Sequence, residues 1–148
     1  MKKTLLLSVI ALTAVIGAAA QNNGKSKWAS EMLEAKHRMI IEEVQLTMTQ
    51  QEQFMPLYEA MEKEIYQTNV EARNLATNIA KKSNPTDSEY LQAATALSNA
   101  KVKEGEIEAK YFKEFTKMLT KKQMFQLKQA EAKFTRSMLT RGKKPQGK

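Results

Sequence analysis

The 148-residue chain has no cysteine, one histidine, one tryptophan, five glycines and three prolines. Without cysteine there are no disulfides, zinc ribbons, iron–sulfur sites or thiol nucleophiles. One histidine excludes the two-histidine metal motifs and makes a histidine-based triad hard to build. Gly17, Gly24, Gly105, Gly142 and Gly147 are too scattered to form a phosphate-cradling loop. So little glycine and proline also argues against a collagen-like, linker-like or loop-rich chain. Most enzyme chemistry is thereby excluded, and no cofactor or metal is expected. Binding, structural or signalling work remains.

Residues 1–20 read as a signal peptide rather than as part of the fold. Lys2 and Lys3 precede a mainly apolar run from Leu5 to Ile16, and Ala18 and Ala20 have the small-residue spacing of a cleavage site before Gln21. The run is shorter than the roughly 20 residues that span a bilayer. No cysteine follows it, so a lipid-anchored form is excluded, and no transmembrane segment is expected after cleavage. Export argues against a nucleic-acid partner, and any chaperone or regulator role must then run on binding energy alone. The organisation expected is 1–20 signal peptide, 21–27 flexible N-terminus, 28–140 helical domain and 141–148 basic disordered tail.

Apolar residues recur at three and four positions and no segment alternates like a strand, so the expected fold class is all-α with about four helices. The first helix is expected over about Ser26 to Val44, with Trp28, Met32, Ala35, Met39 and Ile40 on one face. A second runs from Thr47 to about Lys82 on a stripe of Phe54, Leu57, Tyr58, Met61, Ile65, Ala72, Leu75 and Ile79, with Pro56 predicting a bend. Ser83-Asn84-Pro85 ends it, and Thr86 with Glu89 reads as a capping box. The third helix reaches about Met118. Tyr90, Leu91, Ala94 and Leu97 are its apolar start, and Phe112, Phe115 and Leu119 its apolar end. The fourth runs from Thr120 to about Leu139 on Met124, Leu127, Ala130, Phe134 and Met138.

A helix of 30 residues is about 45 Å long. A compact domain of this size has a radius of gyration of about 14 Å. The second and third helices therefore suit an elongated hairpin that finds further apolar cover in a second copy, and a homodimer is expected.

Leu46-Thr47-Met48-Thr49-Gln50 and Leu119-Thr120-Lys121-Lys122-Gln123 share the pattern L-T-x-x-Q. Its physical content is a helix start: the Thr hydroxyl accepts from the N–H three residues on, and the Gln side chain reaches back to the Thr N–H. Leu119 can staple onto Met124, whereas the first copy has Gln51 at that place. Two copies in so short a chain arise by chance on the order of once in a thousand sequences.

With these two motifs, the leader and the long hairpin, the sequence resembles the Spy and CpxP family of periplasmic stress proteins, also called the LTxxQ family, over roughly Trp28 to Leu139. The resemblance implies a periplasmic, soluble, non-enzymatic protein whose long bent helices intertwine into an antiparallel, cradle-shaped dimer. It implies an ATP-independent chaperone for unfolded or misfolded envelope proteins, or a relative that restrains a sensor kinase through its periplasmic domain or responds to metal. Leu46, Thr47, Gln50, Leu119, Thr120 and Gln123 match the motif, with a structural, helix-capping role.

The positive excess is local. Residues 120–148 hold nine basic residues and one acidic, whereas each segment before them from Gln21 on is close to neutral. On the fourth helix Lys121, Lys122, Lys128, Lys133 and Arg136 lie opposite the apolar stripe, with Phe125 and Leu139 among them. They suit either a solvated face with Phe125 and Leu139 covered by a dimer partner, or a mixed basic and apolar surface for unfolded chains, an acidic partner or anionic lipid heads. His37 lies near Glu34 and Met39, but no second His or Cys completes a metal set. The acidic residues suit solvated helix faces with pairs such as Glu106 and Lys110.

Overall fold

The computed structural model describes residues 23–141, with side chains over 27–140. The leader and the tail from residue 142 lie outside the described residues. Within them the protein is all-α, with no strand and four helices: α1 (Asn23–Val44), α2 (Met48–Ala80), α3 (Asp87–Phe115) and α4 (Lys121–Arg141). No described helix is long and apolar enough to cross a membrane. Two compact units result, one over Glu52–Met118, the other joining the residues up to Gln51 with those from Leu119 on.

In the unit of chain ends α1 packs against α4. Met124, Leu127, Ala130 and Phe134 are buried on α4, against Ala29, Met32, Ile40 and Val44 on α1. Their spacing of three and four residues puts each set on one helix face. The α4 stripe follows the sequence expectation, with Met138 half-buried at its end. On α1 Met32 and Ile40 are buried as expected, but Ala29 is buried where Trp28 was expected and Trp28 is 44% exposed. α1 begins at Asn23, inside the segment expected to be flexible. It closes with Gln45 in the left-handed region, φ 54°. There the Leu46 N–H reaches the Ile41 carbonyl and the Gln45 N–H the Glu42 carbonyl, the pair of bonds that satisfies the last carbonyls of a helix.

In the other unit α2 and α3 form a hairpin. One end is an aromatic cluster, with the Phe54 ring 4.7 Å from Phe115 and 5.3 Å from Tyr58. Further along, α2 buries Met61, Ile65, Asn69, Ala72 and Ile79, and α3 buries the small residues Ala93 and Ala100. α2 is helical through Pro56, whose ring is exposed beside an exposed Glu52. The carbonyl that loses its helical partner there can bond water. The Thr86–Glu89 capping box forms as expected, and Glu89 also pairs with Lys82.

The start of α3 departs from expectation. Tyr90, Leu91 and Leu97 point outward, and Ala93 and Ala100 occupy the buried face. Periodicity locates an apolar face by side-chain size, whereas the covered side at this end of α3 carries small side chains. The pair expected between Glu106 and Lys110 does not form either. Lys110 instead reaches Glu64 of α2 at 2.7 Å.

Candidate functional site

The two L-T-x-x-Q motifs meet. At the first, the Thr47 N–H donates to Gln50 Oε1 (3.1 Å) and the Gln50 N–H to Thr47 Oγ1 (3.2 Å). The second repeats this with Thr120 and Gln123 at 3.0 and 3.2 Å. Each is a complete capping box that satisfies backbone donors left over at a helix start. Leu46 and Leu119 are both buried beside them.

The glutamines then bond to each other. Gln50 Nε2 donates to Gln123 Oε1 and Gln123 Nε2 to Gln50 Oε1, both at 2.9 Å. An amide oxygen has two lone pairs. Each glutamine spends one on its own threonine N–H and one on the opposite amide. The pair ties the start of α2 to the start of α4 across 73 residues. It also brings Gln123 Nε2 to 3.5 Å from the Val44 carbonyl. Gln51, which replaces the staple residue of the first motif, donates to the Leu46 carbonyl at 2.9 Å. The sequence reading found the caps but not the pairing. The repetition of one motif was the signal for it.

On α4, Lys121, Lys122, Phe125, Lys128, Lys133, Arg136 and Leu139 are all exposed, Phe125 by 66% and Leu139 by 51%. Two of the cations are engaged: Lys128 pairs with Glu131 at 2.7 Å and Lys133 with Glu43 of α1. Lys121, Lys122 and Arg136 make no ion pair with a described residue.

In the hairpin two polar clusters escaped the sequence reading. Tyr111 donates to Glu64 Oε1 at 2.6 Å, and Lys110 donates to the same carboxylate. The bonds from Lys110 and then Tyr111 hold the Glu64 carboxyl below its usual range. The Glu64 carboxylate in turn pushes the Tyr111 hydroxyl up to about 12. Asn69, buried in the α2 stripe, donates to the Ile65 carbonyl (3.0 Å) and to Glu104 Oε2 (3.2 Å). Burial raises the Glu104 carboxyl, a rise the Asn69 bond opposes. A polar residue four positions after Ile65 on an apolar line was the visible sign of this pair.

Among the described residues no group of three His, Asp or Glu side chains stands where it could hold a metal ion, and His37 is half-buried with a partner of its own. What the surface offers instead is apolar side chains among charges. On α3 Tyr90, Leu91, Leu97, Val102 and Phe112 are exposed, and around Gly105 there is open space. The chain matches no family model, no curated protein and no solved structure.

Proposed function

We propose that the chain is a periplasmic, ATP-independent holdase of the Spy and CpxP type, non-enzymatic and working as a homodimer. The supporting observation is the outer face of α3. A two-helix hairpin covers only the line along which its helices meet, and here Leu91 is 69% and Val102 59% exposed, with Tyr90, Leu97 and Phe112 also open. Large exposed apolar patches mark interaction surfaces. Lys101 and Glu108 stand among these residues, so the face stays wetted while it offers loose apolar contact. A segment of unfolded chain bound so weakly and over so wide a surface can leave without an energy source. A second copy pairing along part of the same face fits its length.

The test uses the chain from Gln21 on, with a chemically unfolded client and no ATP. Suppression of client aggregation near equimolar ratio is expected. A variant with Leu91, Leu97, Val102 and Phe112 changed to serine should lose most of it and keep its helix content. Sedimentation of the same samples reads the dimer. No suppression with several unrelated clients would overturn the holdase reading in favour of a regulator of a sensor kinase.

A further inference from the structure

The basic side of α4 is separate from the α3 face and independent of the holdase reading. At 100° a residue, Lys121, Phe125, Lys128, Ala132, Arg136 and Leu139 fall on one line along the helix. That line is about 27 Å long. The opposite side of α4 is committed to α1 through Met124, Leu127, Ala130 and Phe134, so the helix is held with this strip outward. Three of its neighbouring cations, Lys121, Lys122 and Arg136, have no ion-pair partner among the described residues. The one acidic residue of α4, Glu131, is occupied by Lys128. Four more cations follow in the sequence, Arg141, Lys143, Lys144 and Lys148.

We propose that this strip docks on an anionic phospholipid bilayer, lying flat with Phe125 and Leu139 in the headgroup boundary. Charge selects a negative partner. The distribution of apolar groups selects a planar lipid one. Phe125 and Leu139 stand near the two ends of the strip, 66% and 51% exposed, with cations between them. On a bilayer, long Lys and Arg stems carry their charges to the phosphates while an aromatic ring sinks between the headgroups. An acidic protein surface would satisfy the cations and leave both apolar side chains without a use. The segment neither spans nor anchors, so binding is reversible and sensitive to salt.

The test is co-sedimentation of the chain from Gln21 with phosphatidylcholine vesicles, with and without phosphatidylglycerol. This chain keeps all four helices and removes the apolar leader, which would bind vesicles on its own. Binding only to the anionic vesicles, reversed by high salt, is expected. The variant K121Q/K122Q/R136Q should lower partitioning on the order of a hundredfold. The variant F125S/L139S should lower it about tenfold. Circular dichroism checks that both keep their helices, and all the changed residues are exposed. A chain ending at Arg141 should retain the preference for anionic vesicles. Three results would each overturn the proposal: equal binding to neutral vesicles, loss of all binding with the tail, or F125S/L139S binding like the parent. The last would leave charge alone at work and refute the seating of Phe125 and Leu139 in the headgroup boundary.

Discussion

The paired glutamines lend themselves to a double-mutant cycle. Gln123→Ala removes three good hydrogen bonds: the one from the Thr120 N–H and the two shared with Gln50. The Thr120 N–H is exposed and finds water, so its loss is small. The Gln50 amide is part-buried and loses the Gln123 partner of one N–H and of one lone pair. A net hydrogen bond is worth about 1 kcal/mol and a stranded buried polar group about 1–3 kcal/mol, so each single alanine should cost about 3 kcal/mol. The double variant loses the shared pair only once and strands nothing. It should cost about 3 kcal/mol, no more than one single alanine, with a coupling of about 3 kcal/mol. Gln50→Glu separates cap from pair. A glutamate at this position still reaches the Thr47 N–H and still accepts from Gln123 Nε2, but it has no amide donor for Gln123 Oε1, so that one bond should be lost while the cap remains. Urea unfolding followed by far-ultraviolet circular dichroism measures all four corners of the cycle. Additivity within about 0.5 kcal/mol would refute the reasoning and reduce the two motifs to independent helix caps.

Burial raises the folded Glu104 carboxyl, so its contribution to stability is greatest below the unfolded value and is lost as pH rises through the folded one. Glu104→Gln should therefore stabilise at pH 7, with the gain vanishing in acid; urea midpoints at several pH values read this. Glu64 runs the other way. Its folded carboxyl is lowered by Lys110 and Tyr111, so its contribution is present above the unfolded value and is lost as pH falls through the folded one. The Tyr111 hydroxyl, pushed up to about 12, should titrate late in an ultraviolet pH titration, and Glu64→Gln should bring it back toward 10. Gln45→Gly should stabilise by up to about 1 kcal/mol in thermal or urea unfolding, because Gln45 sits at φ 54°, where a side chain crowds the backbone and glycine does not.

The α3 face and the α4 strip make separable claims. Serine substitutions on α3 bear on client aggregation, whereas charge changes on α4 bear on vesicle binding. A variant that fails one assay and passes the other assigns each activity to its own helix.

What the sequence by itself determined is local. The all-α class, the caps at Thr47, Thr86 and Thr120, and the buried α4 stripe all follow from contacts within one or two turns, where spacing and side-chain chemistry suffice. The position of the charge in α4 and the tail was equally legible, because it is a count along the chain. Only the tertiary structure decided the rest. Gln50 and Gln123 are 73 residues apart, and nothing within either motif requires the other. Lys110 was within one turn of Glu106, but the approach of α2 brought Glu64 to it instead. On α1 Ala29 rather than Trp28 is covered, beside Met32 and Ile40. At the start of α3 the larger apolar residues lie outside and Ala93 and Ala100 inside. The reason is common to all four. Periodicity shows that a helix has two sides, but which side is covered, and which polar groups meet, depends on where a neighbouring segment far away in the chain is placed, and no local pattern carries that.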